Sequence, residues 1–427
     1  MLSAAARPYI DASVAVLRQH GHTISQRFYQ SMFAAHPELN NLFNLGNQAS
    51  GAQPQSLAAS VLAYASHIDQ PDALAPVLER IVHKHAAVGI TPAHYPIVGR
   101  HLLGAIQEVL GEAASPALMA AWDEAYWLLA GELIAAEARL YQTVGQAPGA
   151  LQALRVVARE DDSANVVSWY LQTADGRSPG TFAPGQYVSV AVQFDHPAVR
   201  QLRQYSLSDH PAQPHWRITV KREAGQADTP AGRVSNWLHT HLQVGDSLPV
   251  SAAFGDFQPQ LDGDAPLVLI SAGVGVTPMM AVLSSLAAQG STRPLHWLHA
   301  CRDGQHQVLR HAIDQSAAQL PQLQRTVWYE TPQASDRLGK DYQHAGRMQL
   351  AGVRVAEAGP KSVLHLPAGT VDAPVAVRRY DVRNGMPNVN DTELKGVSAT
   401  VNWRPNDSWA LKYVAAKRES DTETNID

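Results

Sequence analysis

Residues 79–96, "ERIVHKHAAVGITPAHYP", set three histidines in eighteen residues around the end of one apparent helix. Projected at ~100° per residue, Leu78, Ile81, Val82 and His85 share one face, while His83 falls on the opposite side with Glu79. Gly89 and Pro92 end the helix, and His94 lies beyond it. His85 alone is therefore expected to point into apolar surroundings. A lone histidine on such a face is more often a satisfied core residue than a metal ligand, so this helix by itself leaves both readings open.

A second oddity lies further along. In "ALMAAWDEAYWLLAGELIAAEARLY", Trp122, Tyr126, Leu129, Leu133 and Leu140 form an apolar stripe with Glu137 inside it. A buried carboxylate without a partner is costly. A metal-bound imidazole usually donates its other N–H to a carboxylate or carbonyl. A meeting of His85 with Glu137 would account for both.

Around these segments, residues 1–146 read as helices throughout, with Pro37, Pro92 and Pro116 as punctuation and "APGA" at 147–150 as a short linker. From 152 the period changes to two, in "ALRVVARE", "SANVVSWYLQ", "QYVSVAVQF", "RQYSLSD", "WRITVKRE" and "SLPVSAAF". Short strands in succession point to an antiparallel barrel over 151–260, interrupted by one helix-like stretch, "RVSNWLHTHL". From 261 strands alternate with helices, the pattern of a parallel α/β sheet. The fold class is thus multidomain: all-α, then antiparallel β-barrel, then α/β.

The helices resemble a bacterial globin, and the globin–barrel–α/β order over residues 1 to about 350 resembles flavohaemoglobin. The matching stretches are "FYQSMFAAHPELNNLFN", "NQASGAQPQSLAASVLAYASHI", "KHAAVGITPAHYPIVG" and "AWDEAYWLLA". The resemblance implies haem b with His85 as its proximal iron ligand and Glu137 and Tyr95 as hydrogen-bonding partners of that histidine. It implies a distal pocket of Tyr29, Gln53 and Leu57, with Phe43 wedging the haem ring. Gln53 and Leu57 lie one helical turn apart, as residues facing one ligand should. Taken singly, Tyr29 and Phe43 would read as core aromatics.

"RQYSLS" at 203–208 is similar to the Arg-x-Tyr-Ser pattern of ferredoxin-reductase-like flavin barrels. The likeness implies FAD, with Arg203 on a phosphate, Tyr205 stacked on the isoalloxazine and Ser206 near the reactive flavin nitrogen. "PGQYVSV" supplies Gln186 and Tyr187 on a preceding strand. "GRVSNWLH" sets Gly232, Arg233, Val234 and Ser235 at a helix start, where free N–H groups attract pyrophosphate. "SAGVGVTPMM" resembles the NAD(P)H-binding turn of the same reductases. There Gly273 and Gly275 let amides approach a phosphate, and Thr277 and Pro278 start the helix.

Beyond "GRMQL" at 346–350 the family pattern stops. The family's Cys-Gly-Pro strand end, next helix and terminal aromatic are not in the sequence, and Cys301, in "HACRD", is not that cysteine. The α/β domain is therefore expected over 261–352, truncated, with an atypical tail over 353–427. In the tail Val397, Ala399, Val401 and Trp403 alternate with polar residues before a turn and Leu411 and Tyr413. That hairpin resembles a strand pair of TonB-dependent receptors, but two strands cannot close a barrel. A fusion or rearrangement is expected.

The net charge of −5 gives no reason to expect nucleic acid or an anionic membrane as partner. One cysteine excludes an intrachain disulfide. With no signal-peptide start and no apolar run of ~18 residues, a cytoplasmic monomer without membrane insertion is expected. The reading is a nitric oxide dioxygenase: electrons from NAD(P)H pass through FAD to haem iron, where O2 oxidises NO to nitrate. Its rivals are an oxygen- or NO-binding or sensing haemoprotein with an impaired reductase, and a flavin reductase with a vestigial globin.

Overall fold

The structure, a computed structural model, describes residues 2–43, 52–225, 230–349, 392–403 and 411–422. It falls into two compact units, Met1–Asp262 with Thr277–Ser291 and Val308–Gln319, and Gly263–Val276 with Thr292–Gln307 and Leu320–Asp427.

Among the described residues the first unit begins with five long helices, α1 (Arg7–Ala35), α2 (Ala52–His67), α3 (Pro71–Val88), α4 (His94–Leu110) and α5 (Pro116–Val144). Their starts follow from local chemistry. Pro71 and Pro116 occupy first-turn positions where a missing N–H costs nothing, and Ser115 Oγ accepts the Leu118 N–H at 3.2 Å. The quoted helix stops at Gly89, whose φ of +85° suits glycine, and the Gly89 and Ile90 N–H groups return to the His85 carbonyl. The helices bury one apolar core that includes Ile10, Phe28, Met32, Val82, Ile106, Trp122 and Leu133. Leu78 and Ile81 pack against it, as the projection of α3 requires.

Six antiparallel strands follow: β1 (Gln152–Ser163), β2 (Val166–Gln172), β3 (Tyr187–Asp195), β4 (Ala198–Ser206), β5 (Trp216–Lys221) and β6 (Ser247–Val250), in the order β4-β3-β6-β1-β2-β5. The outer strands meet beyond β4, where Leu207 bridges Ile218 and the Ser208 N–H reaches the Arg217 carbonyl at 2.9 Å. That contact closes the sheet into the expected barrel. Its interior is filled by Trp169, Val188, Val190, Leu207, Ile218 and Val250, with Val234 and Leu238 of α6 (Arg233–His241) packed in. The segment 147–150 is not a loose linker. A Cβ on Gly89 would stand 2.5 Å from the Gly149 Cα, and Gln146 Oε1 accepts the Ala252 N–H at 3.2 Å. Helices α7 (Val276–Ala288) and α8 (Arg310–Gln319) fall largely or wholly within this unit's residues.

In the second unit β7 (Leu267–Ala272), β8 (Leu295–Cys301), β9 (Leu323–Tyr329) and β10 (His344–Ala345) form a parallel sheet in the order β10-β9-β8-β7. β11 (Thr392–Trp403) and β12 (Leu411–Thr422) pair antiparallel, with Trp403 opposite Leu411. The remainder of the tail, 350–391, 404–410 and 423–427, lies outside the described residues, as do the side chains of this strand pair.

Candidate active site

Helices α3, α4 and α5 bring His85, Tyr95 and Glu137 together. His85 Nδ1–H donates to Glu137 Oε1 at 2.7 Å, and the Tyr95 hydroxyl donates to the same oxygen at 2.6 Å. Tyr95 Oη and His85 Nδ1 are 3.3 Å apart. The Glu137 side chain is 3% exposed, whereas His85 is 34% exposed within a helical core. Burial and the Glu137 carboxylate both push the Tyr95 phenol upward, so it stays a donor. Tyr126 in turn donates to the Tyr95 carbonyl at 2.6 Å and fixes the start of α4. With Nδ1 spent on Glu137, Nε2 is the nitrogen left to hold a metal.

The projection placed His83 and His85 on opposite sides of α3, and they are, but their burial is the reverse of the expectation. His83 is 8% exposed, and its Nδ1 accepts the Gly255 N–H at 3.0 Å. The second face of α3 is covered by the barrel. Arg80 pairs with Asp256 at 3.1 Å, and the Ala87 carbonyl accepts from Ser189 Oγ at 2.6 Å. Burial lowers the His83 imidazole below its usual value. Nothing in the local sequence announces a partner 172 positions away. The third histidine, His94, accepts the Thr91 N–H at 2.9 Å at the start of α4.

In the helical core Tyr29 is 8% exposed and hydrogen-bonded to the Gln53 side chain, and burial raises its phenol. Phe43 meets Tyr29 edge-on at 5.9 Å and Phe33 at 5.2 Å. Leu57 packs against the same core.

In the barrel, Arg203, Tyr205 and Ser206 lie on β4 opposite Val190, Val188 and Tyr187 of β3. Arg203 is held by the Leu202 carbonyl (2.7 Å) and Gln201 Oε1 (3.3 Å). Burial, together with the neighbouring Arg233 cation, lowers the Arg203 guanidinium. Tyr205 packs on the barrel core, and burial raises its phenol. Gln186 locks the turn before β3, its Oε1 accepting the Ala183 N–H at 2.8 Å. At the start of α6, Ser235 Oγ accepts the Glu223 N–H and donates to the Gly232 carbonyl, both at 3.2 Å. Val234 is 1% exposed, so it can offer a ligand only its backbone N–H. The sequence placed Arg233 at this helix start without a role. Arg233 lies over the Phe194 ring, its guanidinium carbon 4.2 Å from the centroid.

Gly273, with φ +51°, and Gly275 follow β7 in one helical turn, and a Cβ at either would meet nothing within 4 Å. Thr277 and Pro278 open α7. Cys301 is buried at the end of β8, its Sγ 3.4 Å from the Asp303 carbonyl.

The donor sets fit the two groups the sequence implies. Among the described residues no three His, Cys, Asp or Glu side chains gather around one point. A single oriented histidine suits iron whose other donors come from a macrocycle. The Arg203 guanidinium on β4 and the first-turn amides of α6 suit a diphosphate. Among the described residues no helix is long and apolar enough to cross a membrane.

Comparison with known proteins gives a globin family match over residues 26–133 and an oxidoreductase NAD-binding domain match over 269–364. A flavohemoprotein of Chromobacterium violaceum is 49% identical over 357 residues, covering 83% of this chain and 88% of that protein. One of Bordetella parapertussis is 45% identical over 358 residues, with the same coverage. The solved flavohemoglobin of Malassezia yamatoensis, with bound FAD and heme, is 30% identical with a TM-score of 0.72, over 83% of this chain and 90% of that one. The likeness of the tail to a TonB-dependent receptor strand pair finds no support in these matches.

Proposed function

The chain belongs to the flavohemoprotein family, and from that premise we propose that it is an NAD(P)H-dependent nitric oxide dioxygenase. When bound, FAD turns the electron pair of NAD(P)H into single electrons, and haem b iron uses them to combine O2 with NO into nitrate. The observation that carries the reading is the pair of donors, His85 Nδ1 and Tyr95 Oη, converging on buried Glu137 Oε1.

Glu137 fixes the tautomer of His85 and strengthens Nε2 as the iron's proximal donor, which suits oxygen chemistry better than reversible carriage. Tyr95 shares the carboxylate and holds it in place. On the distal side Tyr29, kept protonated by burial, donates a hydrogen bond to the diatomic ligand, and Gln53 orients its hydroxyl. Leu57 would exclude water beside a bound haem, and Phe43 would pack against it.

In the barrel Arg203 neutralises the flavin diphosphate, together with the first-turn amides of Gly232, Val234 and Ser235. Tyr205 stacks on the isoalloxazine, Ser206 hydrogen-bonds near its reactive nitrogen, and Gln186 and Tyr187 wall the ring. Gly273 and Gly275 admit the dinucleotide phosphate, with Thr277 and Pro278 starting the helix behind it. The division at 1–146, 151–260, 261–352 and 353–427 belongs to this proposal, as do a cytoplasmic location and a monomeric state.

The sequence beyond 350 does not supply Cys-Gly-Pro, which favours a second reading: an oxygen- or NO-binding haemoprotein with an impaired reductase. Nitric oxide consumption by the purified chain, with O2 and NADH, separates the two. Nitrate formed on NADH supports the enzyme. Nitrate formed only with an artificial reductant supports the second reading.

A further inference from the structure

We propose that His83 is a positioning residue for electron passage between flavin and haem: its Nδ1 clamps the barrel turn at Gly255 to the helix that carries His85. The inference rests on the cofactor reading above.

The relevant face of α3 is a stripe. Arg80, His83 and Ala87 follow one another at spacings of three and four, so they stand in line on one side of the helix. Each meets the barrel at a different point: Arg80 at Asp256, His83 at Gly255 and Ala87, through its carbonyl, at Ser189. His85 leaves the same helix on the other side, two residues from His83 along a rigid backbone.

The turn that His83 holds is specific. Phe254 exchanges both backbone hydrogen bonds with Tyr187, at 2.7 and 2.8 Å. Gly255 then takes φ +137°, a conformation that side chains resist, and a Cβ there would stand 3.2 Å from the Tyr187 ring. One side of Gly255 therefore faces the tyrosine assigned to the flavin wall, and its N–H points to His83. The path from Tyr187 to the proximal ligand runs through two hydrogen bonds and two residues of helix. His83 is buried, so without its nitrogen the Gly255 N–H has no water to replace the bond. Electron passage falls steeply with distance, so a loosened turn slows transfer even with both cofactors bound.

Two substitutions separate the clamp from mere packing. His83→Leu keeps apolar bulk and removes the acceptor. His83→Asn restores one, because asparagine Oδ1 and histidine Nδ1 are attached to the same carbon, Cγ. The full chain is purified in each form, and its haem and FAD content is read from its absorption. The flavin is then photoreduced by a flash, and haem reduction is followed under carbon monoxide. Hydrogen exchange of the Gly255 amide is read in parallel on the chain without cofactors.

We expect His83→Leu to keep both cofactors and an unchanged haem potential, and to slow flavin-to-haem transfer roughly ten- to a hundredfold. Its Gly255 amide should exchange faster, and His83→Asn should recover most of both losses. A wild-type transfer rate in His83→Leu would overturn the inference, as would a slowed rate explained by a shifted haem potential. Failure of His83→Asn to restore Gly255 protection would also overturn it. Wild-type protein without haem or FAD would instead overturn the cofactor reading, while the exchange arm still judges the clamp.

Discussion

His85 Nδ1 lies 2.7 Å from Glu137 Oε1, a contact between two helices whose residues are 52 positions apart in sequence. It orders the ring so that one nitrogen faces a carboxylate and the other is left for a metal. His85→Ala should abolish haem retention, while His94→Ala, altering a residue tied to the Thr91 turn, should leave it nearly intact. The Soret absorbance of the two purified variants checks this. Equal loss in both would remove His85 from its role.

Glu137→Gln keeps the size of the side chain and removes its charge. The proximal imidazole then becomes a weaker donor, and the haem potential should rise. A loss of about 1.4 kcal/mol between oxidation states corresponds to about 59 mV for one electron. Spectroelectrochemistry and the iron–histidine stretch both read the change, and an unmoved potential would count against the pair.

Tyr29→Phe removes one hydrogen bond to the ligand, worth roughly 1–3 kcal/mol when charge-assisted. Oxygen release should accelerate by about ten- to a hundredfold, with lower dioxygenase turnover. An unchanged off-rate by ligand-displacement kinetics would mean that the hydroxyl does not reach the ligand.

Burial raises Tyr29, Tyr95, Tyr126 and Tyr141 above the ordinary phenol value of 10.0. A raised folded-state value means the fold favours the protonated phenol. The stabilisation is then full below pH 10 and declines as pH climbs above it. Thermal unfolding of the protein should hold steady from pH 8 to about 10 and fall beyond. A melting temperature unaffected by that rise would contradict the burial of these rings.

Arg203→Ala should lower FAD occupancy, and Tyr205→Ala should alter the flavin spectrum while retaining some FAD. The lost phosphate contact is worth roughly 1.5–3 kcal/mol, as hydrogen bonds to charged groups are. Flavin content after gel filtration reads both. Full occupancy in both variants would return β4 to a purely structural strand.

Much of this was legible in the sequence where periodicity met an exception. Glu137 stood out because a carboxylate broke an apolar stripe, and His85 because a histidine ended one, so their meeting could be anticipated. The Tyr95 donor and the distal set came from family likeness, since an isolated tyrosine carries no signature of its own. His83 was misjudged for a physical reason. A helix projection shows which residues share a face but cannot reveal that a second domain covers the other face. Gly149, in the expected linker, packs against Gly89 for the same reason: local sequence does not show a neighbour distant along the chain.

Passage of electrons from NADH through FAD to a haem on His85 is read in one experiment, anaerobic rapid mixing with NADH under carbon monoxide. Absorption of flavin and haem is followed together, with photoreduction run alongside to bypass the nicotinamide site. Flavin bleaching followed by a ferrous carbon monoxide Soret band is expected in the wild type, and flavin bleaching alone in His85→Ala. Because the chain lacks Cys-Gly-Pro, NADH should reduce the flavin more slowly than light does. A purified chain without a Soret band, or a haem left oxidised while the flavin is fully reduced, would contradict electron passage to a haem on His85.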